Sequence, residues 1–371
     1  MILKKGSMSE FAHRIKETGK QIIVYGAGVL GQTAAPYWLH EHQLVDSVLC
    51  YVDADPHKQG NTIRLSGRQI PTKSLSVLEE LCGEYILLVS VSAFEPVIQT
   101  LSQMHGVKST EIYFLPVMLL DMAHKPKEGG VIRTSDTPLI PKRIHYCWFS
   151  GNPIPRPLQQ CIDSWKRVCP DYEIIRWDES NYDICKNKYM QQAYAHQKWG
   201  YIPDYARLDI IYHYGGIYLD TDVELIRNLD ELLYQPAFCS TEKWGVINMG
   251  ICGAQPGNAD IQAMLTHRAS ASFLYPDGTE NLISSGIYDT LPLVERGLQL
   301  NGKTQVIPNG TMIAYASEFF QPFDYISGET YITKNTFSIH HFSGTWLGAQ
   351  AQKERENTRK RYHKFVEALS K

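Results

Sequence analysis

The sequence has no Cys-x-x-Cys pair, no run of 18 apolar residues and no large excess of charge of either sign. Without such a pair, the eight cysteines indicate neither a zinc site nor a disulfide framework, as is typical of a reducing compartment. The missing apolar run predicts no transmembrane helix, and residues 1–9 lack a signal-peptide core. A net charge of −3 predicts no general attraction to nucleic acid. We therefore expect a cytoplasmic protein.

The chain is long enough for two domains: 371 residues, of which 43% are hydrophobic and 11% aromatic. Strand patterns near 21–25, 48–53, 85–91 and 111–115 predict an α/β domain over residues 1–123. Residues 124–139 are polar and rich in turn formers, which is typical of a linker. We predict a second α/β domain over 140–352 and a basic helix over 353–371.

A glycine-rich turn follows the first of these strands. Gly26, Gly28 and Gly31 lead from strand to helix, and Asp53 ends the next strand 22 residues after the third glycine. This is the sequence form of the dinucleotide-binding fingerprint, in which the glycines admit a phosphate and the acid binds a ribose hydroxyl. We find no acid or base for hydride transfer here. A bound dinucleotide, a second sugar-nucleotide site, a dimerisation module and a plain scaffold all stay open.

The most informative segment is Gly215-Gly216-Ile217-Tyr218-Leu219-Asp220-Thr221-Asp222. A short buried strand ends in two carboxylates, and alternation along an extended chain points Asp220 and Asp222 to the same side. Two hard oxygen ligands on one side suit Mg²⁺ or Mn²⁺, which commonly bridge to substrate phosphates. The triplet alone is not specific, since Asp53-Ala54-Asp55 matches it as well.

The residues before the glycines predict a buried helix. Pro203 and Asp204 suit its start, Gly215 suits its end, and the residues between are apolar nearly all round. Asp204 and Arg207 share a face in the first turn. A weak surface ion pair is one interpretation. A buried pair that meets a polar ligand such as a nucleotide is the other.

These residues resemble glycosyltransferase family 32, the sugar-transferring family with an Asp-x-Asp motif that includes surface-polysaccharide enzymes and is related to the large glucosylating toxins. The match covers residues from about 140 to 350. It includes the thirteen-residue spacing from Arg207 to Asp220, the strand from Ile140 to Gly151 and the loop from His340 to Trp346. The resemblance implies a GT-A type fold for the second domain, after the Rossmann-like first one.

The resemblance also implies a site. Trp148 would stack on the nucleotide base, as a flat aromatic at a cleft can. Asp220 and Asp222 would bind Mn²⁺ or Mg²⁺, completed by His341. The remaining donor-binding residues implied are Asp204, Arg207, Tyr218, Asp220, Asn248 and Trp346. For Trp148 a core position is the alternative, and for Asn248 a satisfied buried amide.

The function implied is a retaining, metal-dependent transfer of a hexose from a nucleotide sugar, with UDP expected, to a hydroxyl of a saccharide or lipid-linked saccharide. Asp220 and Asp222 are the expected catalytic residues, and surface polysaccharide synthesis is the expected setting. No carboxylate stands out as a covalent nucleophile, so front-face attack is favoured. The alternatives are a glucosylating effector acting on protein, an NAD-dependent oxidoreductase acting through the first domain, and a sugar-nucleotide-binding protein without turnover.

The C-terminal stretch combines basic residues with an apolar stripe formed by Tyr362, Phe365, Val366 and Leu369. One interpretation is a solvated helix docked on the enzyme. The other is peripheral contact with an anionic membrane at the inner face of the cell membrane, where a lipid-linked acceptor would lie. A homo-oligomer formed through the first domain is a further option that the sequence leaves open.

Overall fold

The chain separates into two compact units. The computed structural model describes residues 1–81, 83–120, 129–345 and 347–369. The first unit comprises Met1–His124, Ile326–Gly328 and Gly348–Lys371, and the second comprises Lys125–Tyr325 and Glu329–Leu347. Both units combine helices with a sheet, which confirms the predicted α/β class. The last residues of the chain thus belong to the first unit.

A seven-stranded sheet forms the centre of the first unit. Its strands are Ile2–Lys4 (β1), Gln21–Tyr25 (β2), Val48–Val52 (β3), Thr62–Leu65 (β4), Arg68–Lys73 (β5), Tyr85–Val89 (β6) and Glu111–Phe114 (β7). Their order is β1-β7-β6-β2-β3-β5-β4, and the pairs are parallel except β4 with β5. The central strands β2 and β6 are almost wholly apolar and buried, as expected for parallel strands covered on both faces.

Helices connect and cover these strands: Met8–Thr18 (α1), Val29–Gln32 (α2), Ala34–Glu41 (α3), Ser76–Glu80 (α4), Phe94–Ser102 (α5) and Leu115–Met118 (α6). Helix α1 shows how particular residues fix the two ends of a helix. Ser7 and Glu10 form a capping box at the start of α1, and Gly19 ends it at φ 65° in the left-handed region. Phe11 and Ile15, one turn apart, are buried against the sheet.

The second unit contains a mixed sheet and a short two-stranded one. Its strands are Arg143–Cys147 (β8), Glu173–Trp177 (β9), Gly216–Leu219 (β10), Val223–Leu225 (β11), Ala237–Thr241 (β12), Ile247–Ala254 (β13), Gln305–Val306 (β14), Met312–Tyr315 (β15) and Ser338–His340 (β16). The large sheet has the order β14-β15-β12-β13-β10-β8-β9, and β11 pairs with β16.

Strand direction brings several strand ends to one edge of this sheet. β10 is parallel to β8 and antiparallel to β13, and β12 is also antiparallel to β13. The carboxyl ends of β8, β10 and β12 therefore lie at the same edge. Trp148, Asp220 and Glu242 directly follow these three strands. The carboxyl edge of such a sheet is where α/β proteins commonly bind ligands.

The helices of the second unit are Arg156–Val168 (α7), Lys188–Ala195 (α8), Pro203–Tyr214 (α9), Ala259–Ala269 (α10), Ser285–Glu295 (α11) and Ser317–Phe320 (α12). Helix α9 begins at Pro203 and ends before Gly215, which has φ 62°, so its predicted limits are confirmed. Asp204, Arg207 and Asp209 on this helix are buried together with its apolar residues. The helix therefore carries charged groups into the interior of the second unit.

The C-terminal helix, Ala349–Ala368 (α13), packs within the first unit. The ring of Phe365 stacks on Phe94 at 3.9 Å and meets the edge of Phe114 at 4.9 Å. The carbonyl oxygen of Leu369 accepts a hydrogen bond from the backbone N–H of Lys5 at 3.1 Å. The apolar stripe is thus covered by its own unit. None of the described helices is both long and apolar enough to cross a bilayer.

We expect Phe365→Ala to destabilise the first unit by about 3 kcal/mol, because it removes a buried ring and leaves a cavity between α5 and α13. Lys364→Ala, at an exposed neighbouring position, is the control. Hydrogen exchange measured strand by strand gives the test: faster exchange is expected in β6 and β7 but not in β10 or β13. Unchanged exchange in β6 and β7 would contradict the packing.

Candidate active site

Two carboxylates extend from the edge of the large sheet, directly after β10. The backbone N–H of Asp220 donates to the carbonyl of Gly250 at 2.8 Å, and Val223 N–H donates to the Asp220 carbonyl at 3.0 Å. The chain therefore turns tightly between β10 and β11. Both side chains are partly exposed, with 26% of the Asp220 and 14% of the Asp222 side chain accessible. Solvent can therefore reach both of the predicted aspartates.

His340 completes a cluster with these two aspartates. Donor atoms of Asp220, Asp222 and His340 all lie within 4.8 Å of one another, and His340 Nε2 is 3.2 Å from Asp222 Oδ1. The β11–β16 pairing makes this contact, because it places His340 opposite Val223, next in sequence to Asp222. Burial alone would lower the pKa of His340, but the adjacent Asp222 raises it.

The structure places His340, and not the predicted His341, beside the two aspartates. Side chains alternate along an extended strand, so two adjacent histidines at the end of β16 point in opposite directions. His341 is 43% exposed, and its Nε2 lies 3.0 Å from the carboxylate of Glu224. Only its backbone N–H reaches the site, donating to the Asp222 carbonyl at 3.0 Å.

Ser343 holds Asp222 from the loop after β16. Its backbone N–H and its hydroxyl both donate to Asp222 Oδ2 at 2.8 Å. Burial by itself would raise the pKa of Asp222. The imidazole of His340 and the two bonds from Ser343 outweigh burial and keep this pKa well below its usual range. Asp222 is therefore ionised at physiological pH.

Gly250 leaves room for the cluster. A Cβ atom at this position would lie 2.7 Å from Asp220 Oδ2, 2.8 Å from His340 Cε1 and 2.9 Å from Asn248 Oδ1. Two carboxylates and one imidazole around a space that a methyl group would fill are a suitable donor set for a divalent cation. The oxygens fit Mg²⁺ or Mn²⁺, and the nitrogen ligand favours Mn²⁺. The residues present therefore fit the predicted metal site.

A chain of alternating charges leads from the interior to this cluster. Asp204 accepts from Arg207 Nη2 at 2.9 Å and from Arg268 Nη2 at 2.5 Å. Arg207 Nη1 in turn lies 3.8 Å from Asp220 Oδ2. Arg268 is fully buried, with its guanidinium over the rings of Tyr189 and Tyr288 at 4.3 and 4.4 Å. Both oxygens of Asp204 are thus engaged with arginines, and Arg207 is the member next to the metal ligands.

Asp289 on α11 is a second buried acid in this region. It is 1% exposed, and burial raises its pKa to about 7 although the guanidinium groups of Arg207 and Arg268 oppose this shift. Its neighbour Thr290 accepts a hydrogen bond from the backbone N–H of Ile247 at 3.0 Å, which joins α11 to β13. Burial therefore keeps this carboxyl protonated at acidic pH values where an exposed aspartate is already ionised.

Trp148 and Tyr218, two aromatic residues predicted to bind the donor, differ in how deeply they are buried. Trp148 follows β8 and is partly buried, and its indole N–H donates to the carbonyl of Asn152 at 2.7 Å. Tyr218 is 1% exposed and lies below the guanidinium of Arg207, 5.4 Å from ring centroid to Cζ. Trp148 is thus partly exposed and packs against the hydrophobic core of the second unit, whereas Tyr218 lies inside it. Trp346 lies outside the described residues.

Asn248 is the second residue of β13, the strand that lies between β12 and β10 in the large sheet. Its Oδ1 accepts from the backbone N–H of Gly250 at 2.8 Å, and its Nδ2 donates to Glu242 at 3.2 Å. The residue is partly exposed. Asn248 is therefore placed beside the aspartate cluster, as its predicted donor-binding role requires, and it already has two protein partners.

In the glycine-rich turn of the first unit, the Asp53 carboxylate binds the backbone of the turn itself. Asp53 Oδ2 accepts from the backbone N–H of Ala27 at 2.7 Å, and Oδ1 accepts from that of Asp55 at 2.9 Å. Gly26 has φ 104°, and a Cβ on Gly31 would lie 1.9 Å from the Gly26 carbonyl oxygen, so both glycines are required by close packing. Gly28 begins α2 with open space around it. The carboxylate predicted to bind a ribose thus stabilises the turn itself.

Sequence patterns did not identify several residues of the cluster. Gly250 and Arg268 carry no motif of their own, and only three-dimensional packing brings them to Asp220 and Asp204. The sequence did limit the choice to His340 or His341, because two adjacent histidines at a strand end point to opposite faces of the sheet. Choosing between them required the β11–β16 register, which sequence alone does not provide.

Comparison with known proteins finds a family similarity in each of the two units. Residues 155–239 match the family described as glycosyltransferase sugar-binding region containing DXD motif, a segment that includes both Asp204 and Arg207 and the two clustered aspartates. This segment of the second unit is therefore similar to the sugar-binding region of glycosyltransferases with a DXD motif. Residues 3–116 match a different family, described as the C-methyltransferase C-terminal domain.

Individual relatives add detail. The chain is 32% identical over 152 residues to inositol phosphoceramide mannosyltransferase 3 of Schizosaccharomyces pombe, which covers 39% of this chain and 41% of that protein. It is 37% identical over 149 residues to mannosyl phosphorylinositol ceramide synthase CSH1 of Saccharomyces cerevisiae, covering 37% and 38%. The matches thus span less than half the length of these two relatives.

Two solved structures show a weaker likeness. The PaToxG glycosyltransferase matches 55% of this chain and 77% of its own, with a TM-score of 0.34 and 16% identity. An active-site mutant of LgtC matches 58% of this chain and 95% of its own, with a TM-score of 0.30 and 14% identity.

We expect Gly250→Ala to weaken binding of Mn²⁺ by about tenfold or more, because the added methyl group would overlap Asp220 Oδ2 and His340 Cε1. Gly130→Ala is the control, since a Cβ there meets nothing within 4 Å. Titration of each purified variant with Mn²⁺ measures the effect. An affinity equal to that of the wild type would show that the cation binds elsewhere.

We also expect the stability of the wild type to fall, relative to Asp289→Asn, as pH rises from about 4 to 7. Over this range the unfolded carboxyl ionises while the folded one keeps its proton, because the folded pKa is raised from 3.8 to about 7. The stability difference between the two proteins should change by about 4 kcal/mol across this range and stay constant above it. Chemical unfolding at several pH values provides the measurement, and a difference independent of pH would contradict the buried, protonated state.

Proposed function

We propose that the second unit transfers a hexose from a nucleotide sugar, a UDP-sugar in the first instance, to a hydroxyl of a saccharide or lipid-linked acceptor. The observation that carries this proposal is the cluster of Asp220, Asp222 and His340 with Arg207 directly beside it. Oxygen ligands and a fixed guanidinium at one edge of a sheet suit the binding of a diphosphate and its counter-ion.

Each residue of the cluster has a separate task in this proposal. Asp220, Asp222 and His340 hold the cation, with Mn²⁺ favoured over Mg²⁺, and Ser343 keeps Asp222 in place through two hydrogen bonds. A cation bound there would neutralise the charge that develops on the departing diphosphate. Because the ligands are already fixed by the protein, little reorganisation is needed during the reaction.

Arg207 and Trp148 would orient the donor. Arg207 cannot turn away from the cleft, since Asp204 binds its Nη2 and the Pro203 carbonyl accepts from its Nε at 3.0 Å. Its Nη1, next to Asp220, is the group placed to bind sugar or phosphate oxygens. Trp148 at the end of β8 offers a ring for the base. Positioning of this kind supplies a large part of the rate in group-transfer reactions.

Retention of the anomeric configuration by front-face attack is part of the proposal. The carboxylates at the cleft already have tasks: Asp220 and Asp222 belong to the metal cluster, and Glu242 binds Asn248. In a front-face reaction the acceptor hydroxyl would attack on the side from which the diphosphate leaves and pass its proton to a phosphate oxygen. NMR of the product linkage tests this step, and inversion of the donor configuration would refute it.

The acceptor is proposed from the names of the relatives. Both fungal proteins are described as mannosylating an inositol phosphoceramide, a lipid with a phosphorylated cyclitol head. We therefore include a lipid-linked polyol beside saccharides as acceptor, and mannose among the hexoses. The second candidate, an NAD-dependent oxidoreductase, loses support because Asp53 is bound to the backbone of its own turn.

We expect metal-stimulated release of nucleotide from one member of a panel of UDP- and GDP-sugars. Asp222→Asn and His340→Ala should each lose at least about tenfold of this release, because each removes a metal ligand. His341→Ala is the matched control and should keep most of it, since His341 pairs with Glu224. Equal losses in the two histidine variants would reject the assignment of His340. Absence of release from every sugar nucleotide would reject the proposed function.

A further inference from the structure

Strand β13 is interrupted by a bulge beside the metal cluster. Along β12, Cys239 pairs with Cys252, but the next residue, Ser240, pairs with Asn248. Residues 249–251 are therefore extra on the β13 side of this pair. Bulges of this kind redirect side chains and are frequent next to active sites. This bulge brings Gly250 to the point where Asp220 and His340 meet.

The bulge holds a metal ligand directly. The carbonyl oxygen of Gly250 accepts the backbone N–H of Asp220 at 2.8 Å, and its Cα faces the carboxylate of Asp220 and the ring of His340. A small shift of Gly250 would move Asp220 or close the space for the cation. The position of Gly250 therefore sets the geometry of the cluster.

Asn248 fixes Gly250, and Glu242 fixes Asn248. Asn248 Oδ1 accepts from Gly250 N–H at 2.8 Å, and Asn248 Nδ2 donates to Glu242 Oε1 at 3.2 Å. The carbonyl of Asn248 also accepts from the Ser240 hydroxyl at 2.7 Å. With its oxygen and its nitrogen both bonded, the amide has one orientation. A continuous line of hydrogen bonds thus runs from Glu242 through Asn248 and Gly250 to Asp220.

Glu242 is itself held in a tight turn at the carboxyl end of β12. Its N–H donates to the Val246 carbonyl at 2.7 Å, and Gly245 N–H donates to the Glu242 carbonyl at 2.8 Å. The next two side chains are also fixed: Lys243 pairs with Asp324, and Trp244 is 2% exposed. The turn therefore presents the Glu242 carboxylate to Asn248 with little freedom to move.

We propose that Glu242 is a positioning residue for the metal site: by binding Asn248 it fixes the β13 bulge and hence Asp220. This inference rests on the proposed function, because it takes the Asp220–Asp222–His340 cluster as the cation site. Hydrogen-bonded groups outside the ligand set commonly change metal affinity by about 10–100-fold when removed. The hydrogen bond to Asn248 requires an acceptor atom at position 242.

Titration with Mn²⁺ alone, without nucleotide, tests the inference on the full chain. Glu242→Ala and Asn248→Ala should each weaken binding by about tenfold. The double variant should be no weaker than either single one, because both break the same line of hydrogen bonds. Glu242→Gln keeps an acceptor oxygen and should bind almost as the wild type does. Glu295→Ala, which removes an exposed acid elsewhere in the unit, is the control.

A reciprocal exchange covers the case in which an alanine variant fails to fold. Asn248→Asp alone places two carboxylates face to face and should weaken Mn²⁺ binding. Combining Asn248→Asp with Glu242→Gln restores one donor and one acceptor, and should recover most of the affinity. Thermal unfolding of each variant identifies any general loss of structure.

The outcomes separate the inference from the proposed function. Unchanged Mn²⁺ affinity in Glu242→Ala, together with a loss in His340→Ala, would overturn the role of Glu242 alone. Additive effects of the two alanine substitutions, or a Glu242→Gln protein as weak as Glu242→Ala, would do the same. If the wild type does not bind Mn²⁺, the proposed metal-dependent transfer fails first and the role of Glu242 fails with it.

Discussion

The close approach of Asp220, His340 and Gly250 is the constraint on which the site depends. Three segments from distant parts of the chain meet there, and a side chain on Gly250 would fill the space between the other two. Two neighbouring carboxylates repel each other, and their burial adds to the cost. His340, Ser343 and Arg207 offset it by facing them with positive or hydrogen-bond-donating groups. The sheet edge is thus arranged to hold negative charge before any cation or substrate binds.

The buried charges behind this edge extend the same arrangement. Arg268, Asp204, Arg207 and Asp220 alternate in sign, and each bonds or faces the next. A buried ion pair is weak evidence for stability, because desolvation cancels much of the attraction. These ion pairs have a clearer effect on the orientation of the arginine side chains. Asp204 binds one arginine with each of its two oxygens and so fixes both guanidinium groups. Arg207 therefore meets a ligand in one orientation, and less entropy is lost when the ligand binds.

Local signals in the sequence predicted the elements well and the contacts between them poorly. Pro203 and Gly215 marked both ends of α9, because proline at a helix start and glycine at its end act through the backbone. The choice between His340 and His341 depended on the register of two strands more than 100 residues apart in sequence. Glu242 and Gly250 gave no signal, since their roles arise from a bulge that no composition rule predicts. Trp346, predicted to bind the donor, lies outside the described residues.

The two Asp-x-Asp triplets show why the motif needs its surroundings. Both directly follow a parallel-paired strand of an α/β unit. In the first unit, the backbone N–H groups of Ala27 and Asp55 donate hydrogen bonds to the two oxygens of Asp53. Lys58 Nζ lies 3.5 Å from the Asp53 carboxylate and 3.6 Å from that of Asp55. A nearby lysine and bonded oxygens leave little attraction for a cation. In the second unit, an imidazole comes from β16, and a glycine leaves the space open. The difference between the two triplets therefore lies in the groups that the tertiary structure places around them, which the Asp-x-Asp pattern itself does not specify.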